Sequence, residues 1–523
     1  MSKKNRFTKK FSLFVSSFVV CVILSIASCT YIGDGLPRQE TLIALLEFNV
    51  VNLDPIDTND YDTSTVLCEI YEGLLKYDDD MRVIPSLAER WEVTDDVLYT
   101  FYLKRGVYFH NGEELKASDV KFSLERAIAS EAMGYLFEKI EKESLKIVDD
   151  YTISLSTKMP SPTLPMVLCH TAAYIVSEKA TVKKGGERST LTLKPVGTGP
   201  FKFEKLSKDE LILSRFDAYY GALPYFKFIQ FQINDSYHER IEKLQRGEAD
   251  IICSVSVFEL AECGENSNVS VHSIPSFGME YLGFNVKMAP LDDVRVRRAI
   301  AKGIDVDLIN QATSRGFYQT ATAPVPYNVP YSIAHKRAAE KRDVEGAKAL
   351  LLEAGYRDGL SLNFMIAQSY ERMIIASKIK EQLWRIGINL EVEVLEWSDF
   401  LKKMGEGEAQ MFLLGGTADL PDCDSILRDT FYSASSYQTG NYTAFADDEL
   451  DALLDEASVT LDEGKRASLY ERAQDRIIEM KPVVFIYYDR INIALQRYFE
   501  GVKMSPLGFH FLAYIKPKLQ PSD

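Results

Sequence analysis

Apolar and polar positions along this chain fall into short blocks that switch between extended and helical spacing. Residues 41–50 form a largely apolar run that reads as a strand. Residues 61–75 carry apolar side chains at helical spacing. Residues 99–103, 107–109 and 152–155 alternate as strands do, and Ser118-Asp119 caps a helical stretch over 120–128. The second half predicts helices over 292–305, 343–353, 374–386, 448–457 and 464–480, with Gly355 and Gly387 as stops. Strands are expected over 389–395 and, after Pro482, over 483–488. Strands and helices mixed without a fixed repeat indicate an α/β class and exclude a solenoid or coiled coil. The βα order of the second half predicts a mostly parallel sheet.

The first residues follow a different rule. Lys3, Lys4, Arg6, Lys9 and Lys10 precede an uncharged apolar run over 11–26, and small residues lead to Cys29. That order is a bacterial export signal. Its Ile26-Ala27-Ser28-Cys29 ending resembles the lipobox of bacterial lipoproteins, which implies cleavage after Ser28 and acylation of Cys29. Several acyl chains anchor stably, since each buried CH₂ adds roughly 0.8 kcal/mol. The alternative is an uncleaved membrane anchor, because about 17 apolar residues can just span a bilayer. On either reading the remaining chain lies outside the cytoplasmic membrane, on the periplasmic or cell-surface face. Residues 29–38, with a turn-rich composition, are expected to be a tether.

Loss of residues 1–28 removes five basic residues and no acid, taking the formal charge from -16 to -21. So acidic a surface argues against nucleic acid and anionic lipid as partners. The mature length of about 490 residues exceeds one ordinary core, so two or three domains are expected. Cys68, Cys169, Cys253, Cys263 and Cys423 remain in the mature body, an odd number; Cys253 and Cys263 are near enough to bridge, though spacing alone does not require it. There is no CxxC pair, GxSxG elbow, phosphate-binding GxxxxGK[ST] or HExxH. Asp419, Asp422 and Asp424 make an acidic turn without the glycine and distal glutamate of a calcium loop. The expectation is a binding protein with no catalytic residue, metal or cofactor.

Ten or so motifs then stand in order. They include Leu53-Asp54-Pro55, Tyr71-Glu72-Gly73-Leu74-Leu75 and Pro85-Ser86-Leu87-Ala88-Glu89-Arg90-Trp91. Tyr99-Thr100-Phe101-Tyr102-Leu103-Lys104-Arg105-Gly106-Val107-Tyr108-Phe109-His110-Asn111-Gly112 follows, then Pro195-Val196-Gly197-Thr198-Gly199-Pro200-Phe201. Gly247-Glu248-Ala249-Asp250, Tyr281-Leu282-Gly283-Phe284-Asn285, Asp293-Val294-Arg295-Val296-Arg297-Arg298 and Ala354-Gly355-Tyr356 complete the series. Together they resemble family 5 solute-binding proteins of ABC importers, whose members bind oligopeptides, dipeptides, nickel chelates and related solutes. Several motifs have plain structural roles. Gly197-Thr198-Gly199-Pro200 is a turn that needs glycine conformations, and His110-Asn111-Gly112 is a hairpin signal. Arg295, Arg297 and Arg298 are expected in ion pairs away from the ligand.

The resemblance implies a two-lobed periplasmic-binding-protein fold with two hinge crossings and a subdomain inserted in the first lobe. Lobe I would comprise 39–285 with 484–523, with the inserted subdomain at about 71–189, and lobe II 286–483. It also implies a site. Peptide-binding relatives read Gly-Trp-x-x-Asp where this chain has Gly415-Gly416-Thr417-Ala418-Asp419, and their aspartate pairs with the peptide α-ammonium. Asp419 takes that role here, as a charge-assisted bond in a partly dry cleft. Gly416 replaces the aromatic wall and widens the pocket. Gln368 sits nearest the place of the arginine that holds the carboxylate in dipeptide binders; Arg372 could substitute only if the loop runs differently. Trp397, Tyr487 and Tyr488 are candidate cleft walls, and Glu47 and Phe48 match positions of backbone contacts to ligand. The expected protein is a monomer that delivers an extended oligopeptide to an ABC permease. A nickel chelate, haem or sugar ligand, or an adhesin or chaperone role without import, is the alternative.

Overall fold

The strand Thr41–Leu46, with every residue buried, sits deep inside the largest sheet, where parallel neighbours and helices cover both faces. The computed structural model describes residues 35–518 except 49, 51, 58–59, 182–190, 193 and 436–439. The export signal, Cys29 and most of the tether lie outside the described residues. Among the described residues no helix is long and apolar enough to cross a membrane.

That sheet has eleven strands: β1 Thr41–Leu46, β2 Phe201–Leu206, β3 Glu210–Arg215, β4 Phe228–Ile233, β5 Ile251–Ile252, β6 Val269–Phe284, β7 Gln319–Thr320, β8 Leu360–Ala367, β9 Ile388–Leu395, β10 Met411–Thr417 and β11 Val483–Gln496. Their order is β9-β8-β10-β6-β11-β5-β1-β4-β3-β2, with β7 on β11. Two of them are far longer than the rest, and they carry the connection between the two halves. β6 and β11 pair antiparallel over both halves, from Val269 with Gln496 to Gly283 with Val483. The register shifts between Pro275 and Met279, opposite Arg490 and Tyr488, and again between Glu280 and Tyr281. Proline has no N–H to give the ladder, so the break falls where the chemistry requires it. The expected lobe limits at 285/286 and 483/484 lie at the far ends of these strands, several residues from the break.

On the first side of the break, β1, β4 and β5 form the parallel centre, covered by the helix Tyr61–Ile70 and the helices Tyr237–Arg246 and Val257–Glu265. A separate four-stranded antiparallel sheet, from Ala88–Thr94 to Thr152–Ser156, encloses its own core between Leu74 and Ile175. On the second side, β8 runs parallel to both β9 and β10. The sheet there is mixed, contrary to the mostly parallel expectation, because β10 meets β6 antiparallel. Helices Val294–Gly303, Val306–Ser314, Val344–Glu353 and Tyr370–Trp384 pack on one face, and helices Trp397–Gly405, Cys423–Phe431, Asp448–Val459 and Glu463–Met480 on the other.

The helix expected over 120–128 with Ser118-Asp119 as its cap begins at Ala117, and Asp119, inside its first turn, accepts from the Lys116 N–H. Asp343 caps Val344–Glu353 and Gly355 follows at φ +97°, a left-handed position that suits glycine. The helix expected over 61–75 stops at Ile70. Gly73 lies beyond its end, where a Cβ would stand 2.9 Å from the Leu168 carbonyl oxygen. Residues 107–109 make only a bridge from Tyr108 to Glu114 around the His110-Asn111-Gly112 turn. Gly197 and Gly199 are needed for space, not for a positive φ: a Cβ at Gly197 would lie 2.1 Å from the Ile70 carbonyl oxygen. The five cysteines of the body are buried free thiols, so Cys253 and Cys263 do not bridge.

The acidic turn is structural as well. Asp422 caps Cys423–Phe431 and accepts two bonds of 2.8 Å from Arg466, both side chains being almost fully buried. Arg466 also donates to the Ala457 carbonyl and the Tyr470 hydroxyl. Arg297 serves the same purpose elsewhere, donating to the backbone carbonyls of Leu291, Met480 and Lys481. Truncation of one partner leaves the other charge buried and unpaired. Arg466→Ala is therefore expected to cost about 3–5 kcal/mol, read as a lowered urea midpoint.

Candidate functional site

The candidate residues share one topological position. β8, β9 and β10 are parallel neighbours whose apolar cores end together, and their next residues are Gln368, Glu396-Trp397 and Ala418-Asp419. β1, parallel to its own neighbours, ends at Glu47-Phe48. A crevice outside the carboxyl ends of parallel strands is where open α/β sheets place ligands.

β10 shows how sequence shapes this edge. Met411 to Leu414 fill the core, and the strand leaves it through Gly415, Gly416 and Thr417. Gly415 faces Glu280 across the pair β10/β6, and a Cβ there would come within 2.2 Å of a Glu280 carboxylate oxygen. Nothing lies within 4 Å of a Cβ at Gly416, so the space above it is open.

The segment after β10 also touches the first half of the molecule. The Tyr61 hydroxyl donates to Thr417 Oγ1, and the Tyr135 hydroxyl donates to Asp419 Oδ2. Leu420 is buried in the core of the four-stranded unit, and Lys139 Nζ lies 3.6 Å from Asp424. Residues 417–424 thus join the two sides of the cleft. Across its rim, Phe258 and Tyr370 meet edge to face with ring centroids 4.9 Å apart.

Beneath them is a charged cluster that the sequence reading did not foresee. Arg372, in the first turn of Tyr370–Trp384, donates to Glu280 through Nε at 2.9 Å and Nη2 at 3.2 Å. Its guanidinium lies 5.8 Å from the Trp397 ring centroid. Glu371 lies near the hydroxyls of Tyr318 and Tyr487, whose rings lie 4.6 Å apart. Burial, with Glu280 alongside, raises the Glu371 carboxyl to about 7. Burial, with Glu280 and Glu371 alongside, raises Asp489 to about 8, against the pull of Arg372. Burial also lifts the Tyr61 hydroxyl to about 12, with Asp489 and Asp419 adding to the effect.

Several expected residues take different places. Gln368 is exposed, and it is Arg372 that reaches the cleft, from the helix and without any rerouted loop. Tyr487 belongs to the cluster, but Tyr488 points to the other face of β11. Its hydroxyl bonds the backbone of Thr322 and Ala323, and it is core. Successive strand residues face opposite ways, so the two side chains are buried in different cores. The Glu47 and Phe48 N–H groups both donate to Asp62, at 3.0 and 2.8 Å, so neither amide is open to a ligand here. Trp397 is half-exposed beside Arg372 and stacks on Phe400. Among the described residues no group of three or more His, Cys, Asp or Glu is arranged to hold a metal. Asp489 could have been found from period alone, two residues beyond Tyr487; Arg372 lies just ahead of the helix expected over 374–386, which in fact begins at Tyr370.

The raised carboxyls fix a pH dependence. Both titrate above the ordinary carboxyl range of about 4, so the folded protein holds more protons than the unfolded one between about pH 4 and pH 8. Stability of the free protein falls as pH rises through that window. Glu69, raised by burial to about 8, adds to the same slope. Asp489→Asn should make the fall from pH 5 to pH 8 shallower in denaturant titrations; an unchanged slope would show that Asp489 ionises normally.

Comparison with known proteins agrees with this architecture. The family model for bacterial extracellular solute-binding proteins, family 5 (middle), matches residues 82–438. The dipeptide-binding protein of Escherichia coli K12 is 30% identical over 478 residues, covering 86% of this chain and 89% of that protein. The glutathione-binding protein of Pectobacterium atrosepticum is 29% identical, over 87% of this chain and 90% of its own. Among solved structures, the Helicobacter pylori ABC transporter-associated periplasmic binding protein DppA, in complex with the peptide STSA, superposes with a TM-score of 0.79 at 26% identity, covering 91% of this chain and 98% of that one. Two lobes around a ligand cleft are the fold these proteins share. This chain belongs to the family 5 bacterial extracellular solute-binding proteins.

Proposed function

We propose that this protein is the lipid-anchored substrate-binding component of an ABC importer, and that its cleft closes on an extended oligopeptide held by its amino end at Asp419. The observation that carries the reading is the position of Asp419. It follows β10 at the carboxyl edge of the parallel strands, with its carboxylate meeting Tyr135 from the opposite side of the cleft. An α-ammonium arriving there gains a charge-assisted bond to a carboxylate that the fold presents at the join between the two sides. Relatives that bind a dipeptide, glutathione and the peptide STSA support a peptide as the class of ligand.

The lobes are assigned as 39–275 with 490–518, and 279–488, with the inserted subdomain built on the core from Leu74 to Ile175. The break in the β6/β11 ladder is then the hinge, and closure brings Tyr61 and Tyr135 onto residues 417–419. Main-chain bonds to an extended ligand would give affinity with little sequence preference. Arg372, already paired with Glu280, is not free to hold a carboxyl terminus as in strict dipeptide binders.

Loss of one charge-assisted bond costs about 1.5–3 kcal/mol. Asp419→Ala should therefore weaken tri- to pentapeptide binding by about 10- to 150-fold in calorimetry. N-acetylation of the peptide should weaken the wild type comparably and add little to the variant. Peptides that bind the wild type with or without a free amine would overturn the assignment of Asp419. Failure of every peptide, with stabilisation by a metal chelate, haem or a sugar, would replace the peptide reading. Anchoring rests on Cys29: Cys29→Ser is expected to remove acyl label from the protein and release it from the membrane fraction.

A further inference from the structure

The join between the two halves is reciprocal. From the second half, Leu420 enters the core of the four-stranded unit. From the hairpin over 75–85, Tyr77 and Met81 pack against the core of the second half. Lys139 reaches across as well, its Nζ 3.3 Å from the Ser458 carbonyl oxygen and 3.6 Å from Asp424 Oδ2.

Each side chain is offered by a segment that its own half holds firmly. Met133, Phe137 and Ile140 are buried in the core of the four-stranded unit, and between them Tyr135 and Lys139, four residues apart, meet the second half. Leu420 lies two residues before Asp422, which Arg466 fixes with two bonds. The Lys139 ammonium finds favourable charge on two helices. The Ser458 carbonyl is among the last four of Asp448–Val459, at the negative end of that helix dipole. Asp424 stands in the first turn of Cys423–Phe431. An exposed ion pair contributes little, but here Lys139 is half-buried and the Asp424 side chain buried. Leu420 would turn apolar surface to water if the halves parted. None of Tyr77, Met81, Lys139, Leu420, Asp424 and Ser458 is among the residues assigned to the ligand.

We propose that the inserted unit is a clasp: Lys139 and Leu420, exchanged between the halves, hold the molecule closed over the cleft and slow the release of any ligand, whatever its side chains. This rests on the two-lobed reading with its inserted subdomain, and it is independent of what the ligand is. Lys139 and Leu420 are positioning residues, acting on the ligand only through the closed arrangement.

Amide hydrogen exchange of the full chain in detergent, stripped of ligand and followed by mass spectrometry, tests the clasp without any peptide. Lys139→Met keeps the stem and removes the charge. It should speed exchange about fivefold in both 133–140 and 417–424. Exchange in 41–46 and 411–414, inside the cores of the two halves, should not change. Leu420→Ala should act in the same way, and Lys139→Arg should stay near the wild type. In stopped-flow measurements every peptide that binds should leave Lys139→Met and Leu420→Ala faster, by one common factor for each variant. Unchanged exchange in either segment would overturn the inference. So would a rise shared with 41–46 and 411–414, because that reports loss of the fold and not opening. Faster release of some peptides only would overturn it too, since the side chain would then be touching the ligand. If no peptide binds, the peptide reading fails, and the exchange comparison still decides the clasp.

Discussion

The pairing of β6 with β11 is the constraint on which the rest of the molecule depends. Both strands run through the two halves, so every other element is attached to one side or the other of a single ladder. A continuous antiparallel ladder would be stiff. This one breaks at Pro275, which cannot donate, and resumes at Met279 with a shifted register. A second register shift follows between Glu280 and Tyr281, so the irregular stretch of the ladder spans Pro275 to Tyr281. Two halves with their own cores, joined by two strands that weaken at one level, are suited to closing on a ligand.

The cleft follows from the direction of the strands. Parallel pairing aligns the carboxyl ends of β8, β9 and β10, so polar and small residues that could not enter the core emerge side by side. The segment over 417–424 is the most heavily used of these exits. It offers Thr417 and Asp419 to tyrosines of the other half and Leu420 to its core, and it ties itself down through Asp422 and Arg466. The Asp419 carboxylate is thereby set only three residues from a rigid support.

The electrostatics of the cleft show opposite uses of burial. Asp422 and Arg466 are buried together and matched bond for bond, which orders the loop. Glu371 and Asp489 are held near each other and near Glu280 with one shared guanidinium, so burial works against their ionisation. A structural pair removes its own desolvation penalty by internal contacts. The cleft acids lack such a match within the protein, and the raised carboxyl groups are the sign of it.

Local chemistry was legible in the sequence wherever the cause is local. The helices over 343–353, 448–457 and 464–480 were legible from their apolar period, and the run at Thr41–Leu46 is a buried strand. The ordered motifs gave the family, and with it the two-lobed fold and the segment around Asp419. Distant contacts decided the remainder. The mixed sheet depends on which strand lies beside β10. Gly197 and Gly199 are dictated by the carbonyls of Glu69 and Ile70, more than a hundred residues away. Tyr487 and Tyr488 are identical in composition and adjacent in sequence, and strand alternation alone sends them to two different cores on opposite faces of β11. Arg372 became the cleft cation, in place of a residue at 368, because Glu280 lies opposite Gly415 across two strands. Sequence determined which segments would fold and what each could offer; the register of strands far apart in the chain decided which side chains meet.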